Sequence, residues 1–353
     1  MNLFDGILGD EESPFKNEDA LDTEFVPKLL PFREGQQREI ILSIKPLMQN
    51  RNGKNLFICG APGIGKTAAT KWIFRDLEYN TDEVIPIYIN CWQKNTTYKI
   101  IVELCHQLGY KFTQNKNTED LFKAVQNMAN RKPIVFAFDE IDKVEDFDFL
   151  YSILNDIYKK SIFLITNYKE WLDKLEDRIK SRLLPEIIEF KSYDEKETSE
   201  ILKQRTMYAF LPGVLGDSAF SLITKTSTER GDIRAGLYLL REAGRVAESL
   251  SSKKITEEHA KKAIDKIDDF KIKKSTDLDE DTKLVLSIVK ENSDNKIGDL
   301  FELYKKKGGL GAYKTFQRRI DKLSKAQFII ANKVTGKEGN TTILRYAKKL
   351  TEF

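Results

Sequence analysis

Nowhere in these 353 residues is there an uninterrupted apolar run near the roughly 18 to 20 residues that a bilayer-spanning helix requires. The opening, MNLFDGILGDEESP, lacks the basic segment that begins a secretory leader. The expectation is a soluble, cytoplasmic chain. Histidine is scarce, with two residues, and the three cysteines (Cys59, Cys91, Cys105) form no CxxC pair. Neither a disulfide framework nor a His-based metal site is expected. Catalysis must then rest on carboxylates, amines, guanidiniums and backbone amides. Apolar material is not lacking: at 41% of a chain this long, it suffices for two or three domains, each with its own core.

A net charge of +3 hides a strong asymmetry. Residues 1–24 carry eight acids against one lysine, and residues 301–350 carry thirteen Lys/Arg against three acids. The acidic segment has no apolar periodicity and reads as a mostly disordered tail. The basic segment has the patterning of folded chain, and an excess of +10 there is either a solvated face or a surface for a polyanion, most simply nucleic acid.

Between them, short apolar runs at 55–59, 84–90, 133–138, 161–166 and 186–190 alternate with helix-like stretches. Strands separated by helical crossovers make a parallel sheet covered on both faces, so residues 25–190 read as an α/β domain. From residue 191 to 272 the strands stop and amphipathic helices follow, a small helical domain. The stretch 271–281 is charged and nearly free of apolar residues, and 273–280 is the expected linker. Residues 281–353 show helical patterns at 281–291, 296–306 and 313–326. Two strand-like runs follow, 327–334 and 341–346, joined by a Gly-rich turn. Three helices and a hairpin read as a winged helix. In its third helix, Phe316, Ile320 and Leu323 form a stripe at helical spacing, and Lys314, Arg318 and Lys325 fall opposite.

Gly60-Ala61-Pro62-Gly63-Ile64-Gly65-Lys66-Thr67 fits GxxxxGK[ST] directly after an expected strand and before an expected helix. Glycines let the backbone amides turn inward around phosphate oxygens, and the helix N-terminus adds positive potential. Lys66 reaches the outer phosphates and Thr67 takes Mg²⁺. Further on, the apolar run 133–138 ends in Asp139-Glu140. A carboxylate at the carboxyl end of a central strand faces the nucleotide, so Asp139 is the second metal ligand and Glu140 polarises the attacking water.

GAPGIGKT paired with FDEID resembles the AAA+ ATPases, and within them the archaeal replication initiators of the origin recognition complex / cell division cycle six type. Leu164-Ile165-Thr166-Asn167 is similar to that family's sensor-one strand, which implies that Asn167 bonds the γ-phosphate and water. Gly231-Asp232-Ile233-Arg234 resembles its sensor-two motif, with Arg234 as the lid's γ-phosphate contact. Pro31-Phe32-Arg33-Glu34 resembles the segment lining the base pocket, which implies a nucleotide contact for Arg33. Residues 175–181 resemble the family's L-D-P-R-V-K-S box, with Glu176-Asp177 in place of Asp-Pro. The resemblance leaves open whether Arg178 or Arg182 is the finger on a neighbour's nucleotide.

The resemblance implies an AAA+ parallel-sheet ATPase domain, a helical lid and a C-terminal winged helix that together make a slow, switch-like ATPase. ATP or ADP and Mg²⁺ are the cofactors, and origin duplex DNA is the partner, bound through winged helix and AAA+ domain near the nucleoid. Lys314, Thr315, Gln317, Arg318 and Lys322 of the third helix would then face DNA, and Lys333, Lys337 and Arg345 would be the wing's contacts. Initiator paralogues and the replicative helicase are further implied partners; no membrane is. A clamp-loading or remodelling motor, or a signalling ATPase whose winged helix binds no DNA, are the alternatives.

Overall fold

The computed structural model describes residues 13–23, 25, 30–276, 279–309, 311–325, 328–336 and 339–346. The chain divides into two units, Met1–Ala260 and Lys261–Phe353, each taken by itself below.

In the first unit, α1 (Glu34–Met48) precedes β1 (Leu56–Gly60), α2 (Lys66–Asn80) and β2 (Ile85–Asn90). Then come α3 (Thr97–Gln107), α4 (Thr118–Ala129), β3 (Ile134–Asp139), α5 (Asp148–Asp156), β4 (Lys160–Thr166), α6 (Asp177–Leu183) and β5 (Glu186–Phe190). All strand pairs are parallel, in the order β2-β3-β4-β1-β5. Side chains alternate across the pleat. Phe57, Phe136, Phe138 and Leu164 enter a core with α3 to α6, while Ile58, Val135, Phe163 and Ile165 enter another with α1 and α2. Both faces are buried, which is why the expected strands are continuous apolar runs rather than alternating ones. The five strands stand within one residue of their expected bounds at each end. The order places β1, β3 and β4 side by side, so the P-loop, Asp139-Glu140 and Asn167 leave the sheet at one edge.

Four helices follow: α7 (Glu195–Ala209), α8 (Asp217–Arg230), α9 (Ile233–Ser249) and α10 (Glu257–Thr276). Asp194 and Glu197 close a reciprocal capping box on α7, and Asp232 caps α9. No described helix is long and apolar enough to cross a membrane.

Two expectations need correction. Of the acidic segment read as mostly disordered, residues 13–23 are described, and these are packed on the lid. Among its described residues, Glu18–Leu21 form a 3₁₀ turn in which Ala20 and Leu21 are fully buried, and Phe15 packs on Phe210 with centroids 5.2 Å apart. The amides of Lys16 and Asn17 donate to Ala209 O, at 2.8 and 3.0 Å. Asp22 pairs with Arg241 at 3.3 Å and Glu18 with Arg245 at 2.6 Å. Three apolar side chains without periodicity suffice once a helical surface awaits them, and the acids meet lid arginines rather than solvent alone. The expected linker is also shorter than its composition implies. Nothing in 271–276 breaks a helix, and α10 keeps its backbone helical through Thr276; residues 277–278 lie outside those described.

The second unit continues with α11 (Glu280–Glu291), β6 (Asn295–Lys296), α12 (Ile297–Lys306), α13 (Tyr313–Lys325), β7 (Ile329–Gly336) and β8 (Gly339–Tyr346). The strands form an antiparallel sheet in the order β6-β8-β7, so three helices and a hairpin stand as a winged helix does. Phe316, Ile320 and Leu323 are buried with Val285, Leu300, Tyr304 and Leu344. The short strand β6 is too small to show in the sequence pattern.

Truncating Leu21 tests the docked segment. Leu21→Ala is expected to lower unfolding stability by about 2 to 5 kcal/mol, the range for a fully buried leucine, in chemical denaturation followed by far-UV circular dichroism. An unattached tail would show no change.

Candidate nucleotide site

β1 delivers the chain into the P-loop, and Lys66 opens α2 directly behind it. Gly63 has φ 76°, a left-handed backbone that L side chains avoid, and a Cβ there would fall inside the Asp232 carboxylate. Glycine thus lets the capping residue of α9 close directly onto the loop.

Lys66 is 6% exposed, and its Nζ donates to Gly60 O, Ala61 O and Asn167 Oδ1, each at 2.8 Å. Burial drives its pKa down to about 8, opposed by Asp139 and Glu140. Thr67 Oγ1 and Tyr88 OH both donate to Asp139 Oδ2 at 2.6 Å. Asn167 Nδ2 reaches Glu140 Oε2 at 3.2 Å, so one amide joins the ammonium to the carboxylate through its two ends. Glu140 has φ 54°, a strained conformation for a side-chain-bearing residue, held because its own N–H donates to Asp139 Oδ1 at 2.9 Å. Burial, Asp139 and Asp142 raise its pKa, and the Asn167 amide opposes the rise. A carboxylate so raised is a better proton acceptor, and it stands where the sequence places the water-polarising group.

From the lid, Arg234 reaches the same cavity but is folded onto its own cap: Nη2 donates to Asp232 Oδ2 at 2.7 Å and Nε to Oδ1 at 3.0 Å. The cavity measures about 260 Å³. Pro62 to Ala68, Glu140, Asn167 and Arg234 line one part, and Thr23, Phe25, Leu30, Tyr193, Arg205 and Leu237 are among the remaining lining residues.

Arg33 does not line this cavity. Its buried guanidinium donates to Ile64 O at 3.2 Å and Lys191 O at 2.6 Å and lies over the Tyr193 ring at 3.8 Å. It braces the P-loop and orients Tyr193, which does line the cavity; Leu30 and Pro31 of the same segment line it too. Arg178 and Arg182 are exposed on α6, away from the cavity lining, with guanidiniums 5.0 and 5.1 Å from the Tyr151 centroid. Arg178 is paired with Glu176 at 2.5 Å and Asp148 at 3.4 Å; Arg182 donates to the neutral Asn155.

On α13, Lys314, Thr315, Gln317, Arg318 and Lys322 are exposed, opposite the buried stripe. Lys322 has Asp279 at 3.8 Å, and Arg345 on β8 has Asp294 at 2.6 Å. Arg319, between these neighbours in sequence, turns inward to Asp281 at 2.9 Å. Lys337 lies outside the described residues, and of Lys333 only the backbone, on β7, is described. The sequence reading misses Tyr88, Asp232 as the residue against Gly63, Tyr193 and Arg205. None carries a motif signature for these contacts, except that an Asp before a helix marks a cap.

The lowered pKa of Lys66 has a measurable consequence. Phosphate charge favours the ammonium, so the bound pKa rises above the free value of about 8. Near pH 8, ATP binding should therefore take up protons, read as a dependence of calorimetric enthalpy on buffer ionisation heat that shrinks at pH 6, where Lys66 is already charged before binding. Lys66→Ala should abolish binding, whereas Glu140→Gln should keep ATP and lose hydrolysis.

Residues 199–265 match the Cdc6 AAA+ ATPase-type lid domain, and residues 49–175 match an AAA domain. ORC1-type DNA replication protein 1 of Sulfurisphaera tokodaii is 34% identical over 326 residues, covering 87% of this chain and 82% of that protein. Its counterpart from Archaeoglobus fulgidus is 33% identical over 346 residues, covering 92% and 84%. Among solved structures, the Aeropyrum pernix ORC1 protein in complex with DNA is similar with a TM-score of 0.71 at 26% identity, covering 94% of this chain and 93% of that one. The P-loop cluster, the lid that closes on it and these relatives agree: the chain belongs to the ORC1-type DNA replication proteins, and it is an AAA+ ATPase.

Proposed function

We propose that this protein is a replication initiator that binds origin duplex DNA and uses ATP as a switch. The observation that carries the reading is the conjunction, in one chain, of the Lys66–Asn167–Glu140 cluster with α13, whose exposed face holds Lys314 and Arg318. Neither has a carboxylate partner among the described residues. The Aeropyrum pernix ORC1 structure in complex with DNA supports it. In this reading α13 enters the major groove with Lys314, Thr315, Gln317 and Arg318 nearest the bases, and the wing and AAA+ domain add contacts. Arg345 and Lys322, already facing carboxylates, contribute less.

Thr67 Oγ1 and Asp139 Oδ2, 2.6 Å apart, are hard oxygen donors of the kind Mg²⁺ takes, with phosphates and water completing its shell. Thr67 and Asp139 would hold the ion, and when bound it would neutralise charge on the phosphate oxygens. Glu140 would orient the attacking water and accept its proton. Asn167 would keep Glu140 and Lys66 in register, and Arg234 would leave Asp232 for the γ-phosphate. Arg182, tied to no carboxylate among the described residues, is the arginine we assign to a neighbouring protomer's nucleotide. Without such a finger, P-loop enzymes of the GTPase kind turn over at about 10⁻⁴ to 10⁻² per second, so an isolated chain should be slow.

DNA affinity measured with ATP and with ADP, for wild type and Arg234→Ala, tests the switch. A coupling on the order of 1 to 2 kcal/mol is expected in wild type and a smaller one in the variant. Four equal dissociation constants would leave two independent modules. Lys314→Ala and Arg318→Ala should each weaken binding and reduce the salt slope by about 0.9 for every phosphate no longer neutralised. Whichever touches a base should also relax sequence preference, by about 1 to 3 kcal/mol if the pairing is bidentate.

A further inference from the structure

Phosphates held by the P-loop leave the base to the rest of the same cavity, and an unusual side chain lies there. Arg205, on α7, is 6% exposed and lines the cavity. Its Nη2 donates to Asp22 O at 3.2 Å and Phe25 O at 3.1 Å, and its guanidinium lies 4.8 Å from the Phe25 ring centroid. Its Nη1 is buried with no hydrogen-bond partner among the described residues. Burial pushes its pKa down to about 10, a sign of how little solvent or counter-charge offsets its desolvation.

Buried guanidinium N–H groups are rarely left unsatisfied, because the lost solvation is returned only by an acceptor. Arginine offers donors alone, so the missing partner is a lone pair. At the base end of a purine nucleotide the ring nitrogens carry such lone pairs, whereas the exocyclic amine of adenine has a donor's polarity.

We propose that Arg205 is a base-positioning residue: Nη1, covered in this structure, is brought to a ring nitrogen of the bound purine by a small turn of the guanidinium, while Nη2 keeps the carbonyls of Asp22 and Phe25, so that nucleotide and N-terminal segment dock on the lid together. Thr23 and Phe25 also line the cavity, so the acidic segment forms part of the wall around the base. This rests on the nucleotide site described above and extends it to the lid's first helix.

The test is a cycle on the full chain. Wild type, Arg205→Met and Arg205→Lys are titrated with ATP, with 1-deaza-, 3-deaza- and 7-deaza-ATP, and with 2′-deoxy-ATP. Wild type should bind one ring-deaza analogue about tenfold or more weakly than ATP, the usual range for losing a hydrogen bond to a charged donor. Arg205→Met should bind ATP as weakly as that analogue and no longer tell the two apart, with Arg205→Lys between. Hydrogen exchange adds a second readout: ATP should slow the amides of residues 15–23 in wild type and not in Arg205→Met. The proposal is overturned if Arg205→Met discriminates the analogues as wild type does, or if only the 2′-deoxy analogue couples to Arg205. Loss of ATP binding in Lys66→Ala with none in Arg205→Met would also overturn it, while leaving the phosphate site intact. Wild type that bound no ATP would overturn the nucleotide site itself.

Discussion

An ammonium group hidden from water is the constraint around which the nucleotide site is arranged. Lys66 is buried deeply enough to lower its pKa to about 8, and it is kept in place by two P-loop carbonyls and the Asn167 amide oxygen. Each of those acceptors is weaker than a phosphate oxygen, so the arrangement holds the lysine without competing strongly for it. The same amide turns its other end to Glu140, and Asp139 takes hydroxyl donors from Thr67 and Tyr88. The result is a hydrogen-bonded chain from the Lys66 ammonium to the Glu140 carboxylate, fastened at the carboxyl ends of three adjacent strands.

The lid comes close to this cluster at Asp232. Asp232 caps α9, packs where a Cβ on Gly63 would have to sit, and holds the Arg234 guanidinium at 2.7 Å. One carboxylate thus sets the helix start, the distance from lid to loop and the resting place of the arginine. The Asp232 carboxylate presents to the guanidinium fork the same kind of anionic oxygens that a phosphate would. The N-terminal residues also pack on α7 and α9, and the backbone carbonyls of Asp22 and Phe25 accept from Arg205.

In the C-terminal unit, charge is sorted by neighbours more than by composition. Of the basic side chains on α13 and β8, Arg319 faces Asp281 and the Tyr304 hydroxyl, Lys322 faces Asp279, and Arg345 faces Asp294. What remains outward and without an acidic partner among the described residues is Lys314 with Arg318, one helical turn apart. An excess of positive charge along a stretch of sequence therefore overstates the charge offered to a polyanion by one face.

Much of the molecule was readable from local order alone. Apolar runs marked the five parallel strands within one residue, because a strand buried on both faces has no room for polar residues. The P-loop and Asp139-Glu140 were legible because phosphate chemistry constrains consecutive residues, and the buried stripe of α13 because a helix repeats every 3.6 residues. What sequence could not show depends on elements far apart in the chain. The strand order, the contact of Asp232 with Gly63, the diversion of Arg33 to carbonyls of Ile64 and Lys191, and the seating of Phe15, Ala20 and Leu21 on the lid are such contacts. A local pattern records which face of an element is apolar. It does not record which distant surface will cover that face, and the acidic segment read as mostly disordered for that reason, although its described residues 13–23 find their partner on the lid.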